Sequence, residues 1–246
     1  MKKYKESIIK IFKNYEVDPE NEKPGIRWAF KPIKAETKFL ILGINPSNSL
    51  ILVNSVIKKS ADRWFTGKFK TQLEYDLFLA NKENEEQIIL LQELAHEHHP
   101  HFYKHKKFLN PSLETLTENN QSFQFFDLFP VWRKKQEDFL NEIKDDQKRD
   151  SINAFIDLVD RHPNIDSLLF LNGGAGDFFM KENKKKWDTI DSVDVGKSKK
   201  VKEANFKLSK SNREIHIYCF AIGEDRISDF TINELGKIFN SKLANM

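Results

Sequence analysis

The chain has 246 residues and a mass of 29.0 kDa, with 40 Lys and Arg against 37 Asp and Glu, so it can bury a substantial core and is too balanced to be a basic tail or an acidic solvating segment. Hydrophobic residues make up 39% and charged residues 31%, which excludes a collagen-like, low-complexity or wholly disordered chain. No apolar run approaches the roughly 18 to 20 residues of a membrane-spanning helix. Met1-Lys-Lys-Tyr-Lys-Glu6 lacks the apolar core and cleavage site of a signal peptide, so a cytoplasmic location without a membrane partner is expected. The single cysteine, Cys219, cannot form an internal disulfide, and a four-thiolate zinc site is excluded. Its apolar surroundings, Ile217 to Ala221, point to a buried structural thiol.

Taken in chain order, Tyr4 to Tyr15 carries Ile8, Ile9 and Phe12 at helical spacing and predicts an amphipathic opening helix. Val17 to Lys34, with Pro and Gly, reads as a connector. Phe39-Leu-Ile-Leu42 is a continuous apolar run stopped by Gly43, the pattern of a strand buried on both faces. Helical composition follows over part of Thr71 to Ala80 and over Glu83 to Glu97. Ser122 to Asp127 predicts a second strand and Asp166 to Leu171 a third, with a long helical region, Gln136 to Arg161, between them and stopped at His162-Pro163. Glu214 to Ala221 is the fourth strand. The last helix carries a capping box, Thr231 accepting from the backbone and Glu234 reaching back, with Leu235, Ile238 and Phe239 on its inner face.

Strands alternating with helices predict an α/β chain, a three-layer α/β/α sandwich around a central four-stranded, mostly parallel sheet. A single domain over 1–246 with one core is expected, with 181–213 as a flexible basic insertion. Within it, Ala204 to Ala221 has the form of a hairpin turning at Ser211-Asn212 and feeding the fourth strand.

The net charge of +3 hides an uneven distribution. Lys181 to Arg213 holds eleven Lys or Arg against five Asp or Glu, and smaller basic clusters occur at Lys104 to Lys107 and Arg133 to Lys135. Such patches suit a phosphate backbone through counterion release, and they equally suit a lysine-rich solvated surface. With only seven Arg in the chain, an Arg beside a candidate site carries more information than a Lys.

In open α/β sheets ligands bind where strands end at their carboxyl edges. That rule selects Gly43-Ile-Asn-Pro-Ser47, Asp127-Leu-Phe-Pro-Val-Trp-Arg133, Asn172-Gly-Gly-Ala-Gly176 and Ile222-Gly-Glu-Asp-Arg-Ile-Ser-Asp229. In the first loop Gly43 permits close backbone approach and Pro46 fixes φ, so the Asn45 amide would be held in one direction, able to orient a water molecule but not to accept its proton as a carboxylate would. A plain strand-to-loop turn uses Asn-Pro as well.

Leu42-Gly-Ile-Asn-Pro-Ser47 after a buried strand resembles the first motif of the uracil-DNA glycosylase superfamily, especially its mismatch-specific branch. His99-Pro-His-Phe-Tyr-Lys104, Phe126-Asp-Leu-Phe129 with Arg133 and Gln136, Leu171-Asn-Gly-Gly-Ala175 and Gly223-Glu-Asp-Arg-Ile-Ser-Asp229 follow in the order seen in a bacterial branch of that superfamily, over residues 38 to 240. The resemblance implies a DNA-facing groove at the carboxyl edge and a nucleotide flipped from the stack. It implies a monomer that binds single- or double-stranded DNA and hydrolyses the N-glycosidic bond of a uracil-type base, with no metal or cofactor. Asn45 would position the attacking water. Gly43, Ile44, Pro46, Ser47, Asp127, Phe129 and Asn172 would line the base pocket, and Arg133, Lys134, Lys185 and Lys186 would meet the nucleic acid. Asn172 could instead cap the following helix, and Asp127 could be a cap or turn carboxylate. Where active members carry a His-Pro-Ser motif, this chain has Ile222-Gly-Glu-Asp-Arg226. Arg226 could supply positive charge to the leaving group, or pair with Asp229. The departure keeps a second function open, a catalytically inactive nucleic-acid-binding or interaction protein on the same fold.

Five of the seven histidines, His96, His98, His99, His101 and His105, fall within ten residues. With Glu93 and Glu97 nearby this invites a metal reading, but Pro100 interrupts the spacing and a solvated helix-to-loop junction fits better. Trp64, Phe65 and Trp132 could stack on bases or pack as groove wall. Gly173, Gly174 and Gly176 open a helix as a phosphate-cradling turn does, yet the full dinucleotide fingerprint and the P-loop Lys-Ser/Thr are missing.

Overall fold

The computed structural model describes residues 1–15, 30–43, 50–59, 69–98, 101–109, 123–129, 136–193, 199–220, 222 and 228–244. The chain divides into two compact units, where the sequence led to the expectation of one core. Unit 1 comprises Met1–Pro32, Ile44–Phe102 and Asp127–Phe155, and unit 2 comprises Ile33–Gly43, Tyr103–Phe126 and Ile156–Met246.

Unit 2 carries the sheet. Strands β1 (Phe39–Gly43), β2 (Phe123–Asp127), β3 (Ser167–Phe170), β4 (Asp188–Val193), β5 (Lys199–Lys207) and β6 (Glu214–Cys219) stand in the order β2-β1-β3-β6-β5-β4. The four expected strands, β1, β2, β3 and β6, are present within one or two residues of their predicted bounds. β1 pairs parallel with β3 (Leu42 opposite Phe170), and β3 pairs parallel with β6 (Phe170 opposite Cys219). Their apolar runs are buried because helices cover both faces. On one face Phe39, Ile41, Leu169, Leu171, Tyr218, Phe220 and Ile222 form a single cluster with Phe108 and Leu109 of α5 (His101–Leu109) and with Ile232, Leu235 and Phe239 of α9 (Asp229–Ala244). On the other, Phe170 meets Phe179 of α8 (Gly173–Glu182) with ring centroids 5.4 Å apart. The result is a three-layer α/β/α sandwich.

The sheet has six strands rather than four, and the difference lies in the stretch 181–213. It holds the end of α8 and two added strands, β4 and β5, where a flexible insertion was expected. β5 pairs antiparallel with β6 from Lys207 opposite Glu214 to Lys202 opposite Cys219, and β4 pairs antiparallel with β5. The hairpin expected at Ser211-Asn212 is present. Asn212 takes φ 60°, a left-handed conformation that Asn tolerates in tight turns. The turn is anchored on the end of α7 (Asp145–Asp160), since Asp160 accepts from the backbone N–H groups of Lys210 (3.0 Å) and Ser211 (3.1 Å). Arg213 donates to the carbonyls of Val159, His162 and Ile165, tying the turn to the segment that follows the helix.

Unit 1 is helical. α1 (Lys2–Ile11) buries Tyr4 and Ile8. A second core, not expected from the sequence, joins Val53, Val56 and Ile57 of α2 (Leu50–Lys59), Tyr75 and Leu79 of α3 (Gln72–Ala80), and Ile88, Leu91 and Leu94 of α4 (Glu85–His98). α3 opens with a full capping box, Thr71 accepting from the Glu74 N–H and Glu74 accepting from the Thr71 N–H. The single helix expected over Gln136 to Arg161 is two, α6 (Gln136–Glu142) and α7, separated at Ile143 and Lys144. The C-terminal helix also departs from expectation, starting at Asp229. Ser228 is its cap, accepting from the Thr231 N–H at 3.2 Å, while Glu234 pairs with Lys237 at 2.7 Å. Ser228 lies three residues nearer the strand, so the earlier turn wins.

Candidate functional site at the carboxyl edge

The parallel run β1-β3-β6 brings three strand ends to one edge of unit 2. The register sets Gly43 beside Leu171, and the Ile222 N–H donates to the Leu171 carbonyl at 3.2 Å, carrying β6 past its last ladder pair. Gly43, Asn172 and Ile222 therefore lie along one border.

Asn172 is exposed and caps α8. Its Oδ1 accepts from the N–H groups of Gly174 (2.9 Å) and Ala175 (3.3 Å), satisfying two donors of the first helical turn. With its carbonyl so engaged, the side chain offers outward only the two hydrogens of Nδ2, which have no partner among the described residues. An Asn in this state favours an acceptor, such as a base carbonyl oxygen, over a donor. The glycine that follows at 176 has a packing reason. A Cβ there would fall 2.9 Å from Cys219 Sγ and 3.1 Å from Trp187 Cζ2. Cys219 is buried, and burial pushes its thiol up to about 12, with Lys202 acting to lower it and Asp177 to raise it. It is a packing residue, not a nucleophile.

Beside this border the β4-β5 hairpin runs past the end of β6. β5 begins at Lys199, whereas its last pair with β6 is Lys202 opposite Cys219, so Lys199 to Val201 extend beyond the ladder, about 10 Å of strand at roughly 3.3 Å per residue. The same stretch stands two strands from β3, about 10 Å away. Lys199, Lys200 and Lys202 of this hairpin thus stand at the end of the sheet that holds Asn172. Lys202 Nζ lies 2.7 Å from Asp177 Oδ1, and that same oxygen accepts from Trp187 Nε1 at 2.7 Å. Lys202 Nζ also stands 5.9 Å from the centroid of the Trp187 ring. This cluster was not expected from the sequence, although Lys184-Lys-Lys-Trp187, an aromatic directly after three lysines, is the signal for it.

The other candidates are placed as follows. Phe129 is fully buried, its ring 6.3 Å from that of Phe12 and 5.2 Å from that of Phe139, so it packs a core and cannot offer a face to a base. Asp127 ends β2 and is half-buried. Lys185 is exposed with Nζ 5.9 Å from the ring of Phe206, which pairs with Ile215 near the start of β6. Lys185 therefore stands at the opposite end of the strands from Asn172. Lys186 is exposed. Ile44, Asn45, Pro46, Ser47, Arg133, Lys134 and Arg226 lie outside the described residues, as do Trp64, Phe65, Trp132 and His99. Asp229, offered as a partner of Arg226, pairs with Lys107. Of the histidine cluster, His105 is described in full; it is buried, with its ring stacked on Phe125 at 5.9 Å. Among the described residues no group of three His, Cys, Asp or Glu is placed to hold a metal ion. Nor is any described helix long and apolar enough to cross a membrane.

Fold and edge together define an α/β/α protein in which Gly43, Asn172 and Ile222 share one border of the sheet. Compared with known proteins, the chain matches no family model and no curated sequence.

Proposed function

We propose that the protein is a uracil-DNA glycosylase-like enzyme, which binds DNA along the carboxyl edge and hydrolyses the N-glycosidic bond of a flipped uracil-type base. The observation that carries this reading is the alignment of Gly43, Asn172 and Ile222 on one border, with the lysine-bearing hairpin running past it. In the proposed reaction a water held by the Asn45 amide adds to C1′ of the deoxyribose as the C1′–N1 bond breaks. The bonding pair leaves with the base as an anion, and the water gives up its proton to solvent. The exposed Nδ2 of Asn172 supports the reading because a donor facing a base carbonyl strengthens as negative charge collects on the departing ring. Arg226 is the further candidate for charge stabilisation.

The same capping geometry favours a second reading. An Asn whose carbonyl is engaged twice by its own helix cannot read a donor and an acceptor together, which suits a protein that binds nucleic acid without excising a base. The two are separated by incubating protein in excess over oligonucleotides containing uracil, hypoxanthine, xanthine or a thymine mismatch. Release of free base supports the enzyme; steeply salt-dependent binding with no product supports the binding protein.

A further inference from the structure

We infer that Trp187 and Lys202 form a single-strand contact in which the indole stacks on a nucleobase while the lysine meets the adjoining phosphate. The inference rests on the nucleic-acid reading above and assigns to it a surface outside the base pocket. Four observations carry it. Trp187 is half-buried, with one edge against Gly176, where the missing side chain leaves room for it. Two further contacts are polar and replaceable, the N–H to Asp177 and the Lys202 ammonium near its ring. Lys202 and Asp177 are solvent-facing, with 30% and 54% of their side-chain surfaces exposed, and such a pair contributes little to stability. Finally, Asp177 follows the cap Asn172 by five residues, about 7.5 Å along the helix at 1.5 Å per residue, so the cluster adjoins the edge.

The chemistry then follows as an exchange. A phosphate draws the Lys202 ammonium away from Asp177 and from the indole, and the uncovered ring face takes a base. Every base has a π-face, so the contact is tolerant of sequence, and lysine close to the ring is the arrangement that single-strand binders use. Charge complementarity selects a polyanion as the partner. Residues 181–202 hold eight Lys against four Asp or Glu. A single strand is preferred to a duplex because the stacked bases of a duplex offer no free face to a side ring.

The test is a titration of the full-length protein with a fluorescein-labelled 20-nucleotide oligo-dT across a salt series, alongside the matching duplex. Wild type is expected to bind the single strand more tightly. Lys202→Gln should weaken binding several-fold and reduce the slope of log K against log salt by about 0.7, one single-strand phosphate contact. Trp187→Ala should weaken it about tenfold or more, and Trp187→Phe, which keeps a ring against Gly176, should retain most of the affinity. If Trp187→Ala fails to fold, Lys202→Gln and Trp187→Phe still decide the matter, provided their thermal midpoints match wild type. Wild-type affinity and slope in Lys202→Gln would overturn the inference, as would no binding of oligo-dT by wild type. A base-release assay run in parallel separates the two proposals. Asn45-dependent release with unchanged binding in Lys202→Gln sinks this contact alone, whereas absent release with the expected losses sinks the glycosylase reading alone.

Discussion

Asn172 joins the fold to the edge through a single side chain. Its carbonyl holds two N–H groups of α8 and its Nδ2 is left for the proposed contact with a base, so the capping role and the proposed binding role sit on different atoms and can be separated by substitution. Asn172→Ala removes both and should cost about 1 kcal/mol in chemical denaturation, the usual value of a lost cap. Asn172→Asp keeps the acceptor and the cap but replaces the donor with a charge that repels phosphate. It should unfold at wild-type denaturant concentrations while losing nucleic-acid affinity. Gly236 is a second single-residue test. It lies in α9, where glycine is unfavourable by about 1 kcal/mol relative to alanine, and a Cβ there would overlap the Phe108 carbonyl oxygen of α5. Because that neighbour is backbone, it cannot swing aside. Gly236→Ala should therefore destabilise by about 2 kcal/mol or more despite its better helix propensity, read as a lower denaturant midpoint.

Among the elements, the turn between β5 and β6 is held chiefly through Asp160 and Arg213. Burial acts to raise the Asp160 carboxyl, but it is outweighed by hydrogen bonds from Ser211 and the Lys210 backbone and by the charge of Arg213, so the net shift is downward from 3.8. A depressed folded value means that the group adds stability above the unfolded value and loses it as pH falls through the folded one. Wild type should thus lose stability relative to Asp160→Asn below about pH 4, and the two curves should run parallel near neutrality, measured by thermal melting across pH. This turn was legible in the sequence because Ser211-Asn212 sits between two alternating runs. The strands β1, β3 and β6 were legible too, since burial on both faces demands continuous apolar runs such as Phe39-Leu-Ile-Leu42. β4 and the start of β5 were not. Asp188-Thr-Ile-Asp-Ser-Val193 has the charges of an edge strand, and Lys199 to Glu203, ahead of the hairpin arm that begins at Ala204, reads as a solvated basic tract until a neighbour supplies its ladder. The Ser228 cap was hidden for a related reason. Ser228 and Thr231 are both good caps, and sequence alone does not rank two adjacent ones.

For the whole molecule, the near-neutral charge of +3 conceals a basic hairpin set against the edge that carries Asn172. Its place in the sheet could not be read from the sequence, because it depends on the order β6-β5-β4 and on β5 outrunning β6. The second helical core was missed because Val53, Tyr75 and Ile88 lie in three short segments, none of which shows a long periodic face alone. The sheet aligns the strand ends, the α8 cap presents a donor and the hairpin brings positive charge. In the proposed function this edge breaks an N-glycosidic bond using a water held by Asn45. The direct measurement is single-turnover release of free uracil from a uracil-containing single-stranded oligonucleotide, with protein in excess, for wild type and Asn45→Ala at matched thermal stability. Time-dependent release is expected from wild type, with a loss of at least about a hundredfold in Asn45→Ala, the lower end of what a positioned group contributes to such a step. No release by wild type, or equal release by both proteins, would contradict it.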